Sequence, residues 1–592
     1  MQKKSLFGLL IFILIITSLL AACSKPTSST TTTTSTPSST PSSSSTQPGT
    51  TATVPLTTTT SAAPANWWDS FGTPVYGGEL NWRTDTFPSN YDPYNYAMLL
   101  TYPYEGLFMH DWNVDRTKEY SFQYMWTPEK YWTGWLAKSW EFTDPQTMVI
   151  KIRQGVHWQN KAPLNGRELT ANDLEFHFSR MIGSGHGFTT IDPYYQRWIG
   201  SWVSATATDK YTLQFKFKTP TLITNLWSML DITTAYIEAP ELVEKGIKEW
   251  QDCIGTGAFM LTNVITNSAV NLEKNPDYWG YDEHYPKNKL PYIDKINVYT
   301  ITDQATSIAA LRTRKIDSLT NLGYDQVKNL TGTNPDLKQA TLLQQGFMII
   351  LNCGAPPFKD IKVRQALNMA IDRPAIAKSL YGGAVPGEPT GMIFPPYTGY
   401  AVPYKDWPQT LKDQYTYNPE GSKKLLTEAG YPNGFATKMV APVVVPKDIM
   451  TIVKSYFTDI GVDMEIEAVD MAAAIGMLRG AGFDQMFMWL SSGNAPLAAM
   501  GNAKSAPNRL NDTVLNGMID KFLAASSPED AQKVCLEADL HYAQMHTNIE
   551  LFPVANFTVW QPYMKGYSGE LEVTGTAASK NYYWARFWIA GK

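Results

Sequence analysis

The stretch Pro356-Pro357-Phe358-Lys359-Asp360-Ile361-Lys362-Val363-Arg364-Gln365-Ala366-Leu367-Asn368-Met369-Ala370-Ile371-Asp372-Arg373 decides how this 592-residue chain folds. Its apolar residues fall at 363, 366, 367, 370 and 371, the i, i+3, i+4 stripe of an amphipathic helix over residues 360–371. Downstream, residues 419–429 read as a second helix, stopped by Gly430 ahead of Pro432. Upstream, residues 147–153 (TMVIKIR) and 211–218 (YTLQFKFK) alternate strictly and read as half-buried strands. Between them, residues 170–181 read as a helix capped by Thr170, with Asp173 three residues on. Helical and strand periods alternate without a repeat, so the fold class is α/β. One departure is the Trp/Tyr-rich run from Asp111 to Trp135, read as a loop or hairpin insertion that covers one lobe or overhangs a cleft.

A chain this long exceeds the size at which a single core stops growing, so two or more lobes are expected. Its 49 Lys and Arg against 54 Asp and Glu give a net charge of −5 with no basic run longer than a pair such as Lys3-Lys4, and nucleic acid is not an expected partner. Lys3 and Lys4 precede a nearly unbroken apolar stretch from Leu6 to Leu20, the pattern of a signal peptide over residues 1–22. Leu20-Ala21-Ala22-Cys23 resembles a lipobox, which implies lipidation of Cys23 and a protein anchored to the cell membrane on its extracytoplasmic side, periplasmic or cell-surface. Residues 23–65 are almost wholly Ser, Thr and Pro and read as a disordered leash spanning roughly 35 Å. Cys253, Cys353 and Cys535 lack CxxC spacing; a Cys253–Cys353 disulfide and three small buried thiols are both compatible with the sequence, and no metal cage is indicated.

Four segments carry a family resemblance. Tyr104-Glu105-Gly106-Leu107 is followed by Gly134 to Glu141 (GWLAKSWE), Ile152 to Trp158 (IRQGVHW) and Leu169 to Asp173 (LTAND). Ile254 to Phe259 (IGTGAF) precedes Leu272 to Trp279 (LEKNPDYW). The 356–373 stretch comes third, and Tyr417-Asn418-Pro419-Glu420 through Lys424 to Pro432 (KLLTEAGYP) fourth. In this order they resemble the peptide/nickel-type substrate-binding proteins of ABC importers, the large family 5 binders. The resemblance implies a bilobed periplasmic-binding-protein fold of the three-domain, peptide-binding-like type with two crossover strands. It places lobe I at 66–345 with an inserted subdomain over about 105–225, lobe II at 346–558, and a return to lobe I at 559–592. The first crossover is expected near residues 345–351 and the second near 554–560. Gly255 and Gly257 are read as tight-turn residues, and Arg364 and Asp372 as holding lobe structure rather than touching solute.

The resemblance implies capture of one small solute between the lobes and its delivery to ABC permease subunits; an oligopeptide or oligosaccharide and a monomer are expected, with no cofactor, and although nickel or haem loading occurs in the wider family, no His cluster here points to a metal ligand. In peptide-binding members a segment similar to W-C-A-D-Y-x-x-P supplies an Asp for the peptide ammonium and a Cys bridged to the first crossover. Here it corresponds to Trp489-Leu490-Ser491-Ser492-Gly493-Asn494-Ala495-Pro496, with Leu490 for the Cys, Ser492 for the Asp, and Gln345 where the partner Cys would be. A hydroxyl does not compensate a buried ammonium, so Ser492 and Asn494 beside Trp489 suit a neutral, hydroxyl-rich ligand. Tyr94, Tyr96 and Phe347 complete the candidate lining by position. An enzyme finds no support: the seven His form no HExxH, and neither a GxSxG elbow nor a P-loop is present. A lipoprotein receptor using the same fold without transport is the alternative.

Overall fold

The structure, a computed structural model, describes residues 66–88, 90–94, 101–191, 199–230, 236–480, 482–490, 493–504, 508–570 and 580–592, with Arg479 described by its backbone alone. The first lobe is built on a four-stranded sheet in which Glu79–Thr84 runs parallel to Lys295–Thr300, followed by Ala269–Lys274 and Phe259–Ile265 antiparallel. Leu80 and Trp82 alternate inward with Ile296, Val298, Val270 and Leu272, all nearly solvent-free. Inserted after it is a second antiparallel sheet, Ala137–Asp144, Thr147–Ile152, Thr212–Phe217 and Trp202–Asp209 in that spatial order. The two alternating segments read from sequence are neighbours there, Met148 opposite Phe215 and Ile150 opposite Leu213. The helix Ala171–Ile182 covers this sheet, its start closed by the reciprocal Thr170 and Asp173 capping bonds.

The family motifs are scaffold. Glu105 from the first meets Tyr278 and Trp279 from the second, whose hydroxyl and indole N–H donate to its two oxygens at 2.9 and 3.0 Å. Burial pushes the Glu105 carboxyl up to about 7, although those bonds work in the opposite direction. Gly255 has no left-handed backbone; a Cβ there would lie 2.0 Å from the Pro103 carbonyl oxygen, so close chain approach rather than a tight turn demands glycine. In the second lobe, the helix Ile361–Met369 starts with the Asp360 carboxylate accepting from Lys362 N at 2.9 Å. Val363, Ala366, Leu367, Ala370 and Ile371 are all at most 1% exposed. Each larger one contributes about 1.5–3 kcal/mol by leaving water. Arg364 donates to the carbonyls of Phe358, Lys359 and Met545, and Asp372 caps the next helix, Arg373–Tyr381, through Ala375 N. The expected helix at 419–429 is Pro419–Glu428, with Gly430 at φ +91° beyond it.

The second lobe's five-stranded sheet runs Val462–Val469, Phe435–Pro442, Met486–Leu490, Phe347–Leu351 and Asn548–Glu550. A three-stranded sheet on the other side contains Ser318–Leu322, Val554–Trp560 and Lys338–Gln344. Two short links join the sheets, Gln345-Gly346 and Leu551-Phe552-Pro553, with antiparallel partners on both sides of each. Bending at two adjacent links can move one sheet against the other without breaking a ladder. Val554–Trp560 lies wholly in the three-stranded sheet, so the second link lies upstream of the position expected from sequence. The strand that precedes it, Asn548–Glu550, is three residues long and leaves no periodic signal.

The aromatic run 111–135 is the loop and second arm of a hairpin whose arms are Phe108–His110 and Trp132–Gly134. It folds on a cluster of its own, Val114, Tyr120, Phe122 and Tyr131, with Tyr120 and Tyr131 stacked at 4.7 Å. Buried Arg116 pairs with Glu570 at 2.6 Å and lies 3.6 Å over the Trp112 ring. Met125 N donates to Leu343 O and Leu343 N to Gln123 O, which fastens the loop to the first crossing strand. Cys253, Cys353 and Cys535 are free and buried, with burial pushing Cys253 up to about 12 and Cys353 to about 11.

Candidate functional site

A pocket of about 120 Å³ opens where this hairpin faces the second lobe. The hairpin supplies His110, Met125, Trp126, Thr127, Glu129 and Trp132; the helix Leu222–Leu230 supplies Trp227 and Leu230; the second lobe supplies Tyr397 and Ala495–Ala498. Local chemistry sets each wall. Pro128 fixes the entry to the one-turn 3₁₀ helix Glu129–Tyr131, and Trp132 Nε1 donates back to Thr127 O at 3.2 Å. The Tyr120 hydroxyl donates to Trp126 O, holding that residue's backbone. Trp227 is 8% exposed, with its ring 5.4 Å from Tyr400 and 5.5 Å from Phe522. On the far wall, Pro496–Lys504 begins a helix directly after Ala495.

Polar groups are few. His110 stacks on Phe122 at 5.0 Å, and its Nδ1 lies 2.8 Å from the Tyr583 hydroxyl. Burial, with the Arg116 charge, pushes its pKa down to about 3, so the imidazole is neutral at physiological pH. Glu129 Oε1 accepts from the Tyr400 hydroxyl at 2.7 Å, a bond from the second lobe to the hairpin. Glu129 Oε2, Trp126 Nε1 and Trp227 Nε1 are shut off from solvent and find no hydrogen-bond partner within the protein. Among the described residues no lysine or arginine lines the pocket.

None of the described candidates drawn from sequence is in the lining of this pocket. Cys23, Tyr96 and Ser492 fall outside the described residues. Phe347 opens the crossover strand opposite Leu490 and is 7% exposed; Trp489 sits opposite Met348, half-buried, 5.9 Å from Phe487. Tyr94 donates its hydroxyl to Thr190 O at 3.3 Å and lies under the Arg180 guanidinium at 4.7 Å. Asn494 immediately precedes the lining residue Ala495. Its backbone pairs with Met392 and Phe394, and its side-chain oxygen accepts from Gln345 Nε2 at 2.6 Å. Gln345 thus ties this loop to the crossover by a hydrogen bond at the place where the resemblance put a cystine. The sequence reading had this run either covering one lobe or overhanging a cleft and did not single out Trp126, Glu129 or Trp132; Trp227 and Tyr397 carried no signal apart from ordinary core aromatics. Among the described residues no group of three or more His, Cys, Asp and Glu is placed to hold a metal ion.

A family model described as bacterial extracellular solute-binding proteins, family 5 middle, matches residues 132–509. The chain is 26% identical over 472 residues to heme-binding protein A of Haemophilus influenzae, which covers 73% of this chain and 81% of that one. It is 27% identical over 406 residues to the glutathione-binding protein GsiB of Escherichia coli, covering 66% and 73%. Among solved structures, the ABC transporter-associated periplasmic binding protein DppA from Helicobacter pylori, in complex with the peptide STSA, superposes with a TM-score of 0.61 at 22% identity over 87% of this chain and 98% of its own. The bilobed α/β architecture with paired crossings is therefore shared with that structure.

Proposed function

The chain belongs to family 5 of the bacterial extracellular solute-binding proteins, and from that premise we propose that it captures a peptide-like or oligosaccharide-like solute between its lobes and hands it to an ABC permease without altering it. Relatives in this family are extracytoplasmic solute binders of ABC importers, not enzymes. The observation that carries the finer reading is the pocket: aromatic rings of Trp126, Trp132, Trp227 and Tyr397 converge from both lobes on a space with few polar groups. Such a lining suits a ligand with a sizeable apolar body and a small number of fixed polar anchors. We place the solute against this wall, with the Trp489–Asn494 loop at its margin. The protein acts as a monomer held to the membrane through lipidated Cys23.

Three of the lining rings are tryptophans, so solute entry should shift the protein's fluorescence. Titration with tripeptides, cello- and xylo-oligosaccharides, glutathione and nickel chelates tests the reading, and native mass spectrometry of the purified protein identifies any solute that travels with it. Chemical conversion of a bound solute would refute the binding-only claim. A Cys23→Ser form should be released from the membrane and bind solute unchanged.

A further inference from the structure

Resting on the reading that Cys23 carries the lipid, we propose that the face of the first lobe formed by residues 66–76 and 280–289 lies against the lipid headgroup layer, with its tyrosine and tryptophan rings at the boundary between headgroups and acyl chains. The two segments form one face. Tyr76 donates its hydroxyl to Lys289 O at 2.9 Å, Tyr285 donates to Gly72 O at 3.4 Å, and the Trp68 ring stacks on His284 at 4.0 Å. Tyr281 forms an antiparallel bridge with Lys289, so it and Tyr76 meet there. Both rings are 55% exposed, and Val75 is 45% exposed, with Trp68, Phe71 and Tyr285 partly exposed beside them. Single apolar residues at a surface need no explanation, but a contiguous group held by its own hydrogen bonds is a contact surface. Its composition suits lipid: rings with an apolar body and a polar tip, flanked by the exposed Lys287 and Lys289, are what the headgroup boundary accommodates. The nearby acids turn inward. Asp282 accepts from the Tyr292 hydroxyl and Glu283 from Arg586 Nε, each at 2.9 Å, which leaves Asp69 as the exposed carboxylate of the two segments. Chain order supplies the partner. Asn66 directly follows the leash read over residues 23–65, whose reach of roughly 35 Å keeps the segment it runs into near the bilayer. Such a tether gives an effective concentration on the order of a millimolar, so a contact too weak to hold a free protein is occupied in the anchored one.

The test is hydrogen exchange, followed by mass spectrometry, on the full mature chain anchored in phosphatidylcholine vesicles and on the Cys23→Ser chain without them. Exchange over residues 66–76 and 280–289 should be severalfold slower in the anchored chain, and the slowing should survive high salt, since rings rather than charges carry the contact. Replacing both exposed rings, Tyr76→Ser with Tyr281→Ser, should abolish the slowing and leave solute binding unchanged, because neither ring lines the pocket. No slowing over the two segments, slowing confined to another face, slowing that the double variant retains, or its loss at high salt would overturn the membrane-facing assignment. Flotation judges the lipidation reading separately: the chain with Cys23 should float with the vesicles and the Cys23→Ser chain alone should not. Should neither float, exchange of the soluble chain in excess vesicles decides, since slowing at the same two segments upholds the face and its absence removes it. Should the double variant loosen these segments by itself, the unsubstituted chain with and without vesicles still decides.

Discussion

Replacing Asp539 by alanine should cost the protein roughly 2–6 kcal/mol and loosen the second lobe's side of the pocket. Asp539 sits on the helix Pro528–Met545 at 1% exposure, with Oδ1 accepting from Ile393 N at 2.9 Å and Oδ2 from Val402 N at 3.0 Å. The chain between those two amides carries Tyr397, a pocket residue, and Tyr400, the partner of Glu129. Gly391 presses close enough that a Cβ on it would meet Oδ1 at 2.1 Å, so little else can take the carboxylate's place. Truncation strands two buried amides, each worth about 1–3 kcal/mol. Burial also pushes this carboxyl up to about 7, above its unfolded value. Between those two values the folded state binds more protons than the unfolded one, so the group's stabilising contribution is fully present below about pH 4 and is lost as pH rises through 7. The gap between wild type and Asp539→Ala should therefore be wider at pH 5 than at pH 8. Urea unfolding at both pH values measures the gap, and hydrogen exchange over residues 391–402 reports the loosened wall. A gap below about 0.5 kcal/mol, or one narrower at pH 5, would refute the assignment.

Gln345→Ala removes the 2.6 Å bond to Asn494 and should cost about 1 kcal/mol, seen as faster amide exchange over residues 493–498; unchanged exchange would show that the loop is held by its backbone pairing to Met392 and Phe394 alone. Gly493→Ala forces a side chain at φ +88° and sets its Cβ 2.6 Å from Phe394 Cα, so a loss of about 1–3 kcal/mol in melting experiments is expected and a neutral outcome would contradict the loop geometry. Glu105 is likewise raised, to about 7, so its contribution is present below its unfolded value near 4.5 and declines as pH rises through 7. The Glu105→Gln form should show a flatter melting temperature between pH 5 and 8, and identical pH profiles would exclude Glu105 as a source of the slope.

What the sequence makes legible is local. The 361–369 helix follows from its stripe and from Asp360, the 171–182 helix from the Thr170 and Asp173 pair, and the subdomain strands from strict alternation over six residues. Contacts between distant segments leave no such trace. Gly255 looks like a turn residue because the reason for it, the Pro103 carbonyl, lies about 150 residues away. The second crossing is masked because a three-residue strand and Pro553 precede it, while the apolar run of Val554–Trp560 draws the eye downstream. The pocket is half visible: an aromatic run with no helical or strand period is an insertion, but which of its rings line the pocket depends on Pro128, Tyr120 and the tie to Leu343.

Two carboxylates separate what the family resemblance governs from what it leaves open. Glu105 lies within a motif, and both its oxygens are answered by protein donors, Tyr278 and Trp279, from another motif. Glu129 lies outside all four motif segments, and only one of its oxygens is answered. No residue lining the pocket falls within those four segments. The motif carboxylate is thus answered within the protein on both oxygens, and the hairpin carboxylate on one. Since one fold supports many ligands, relatives named for heme and for glutathione are consistent with a scaffold that does not choose the solute. Under the proposed function the hairpin 111–131 and Trp227 across from it would set specificity, so affinity and stability should be separable by mutation: changes at Glu129 or Trp126 should alter which solute binds, and changes at Glu105 should alter how firmly the protein folds.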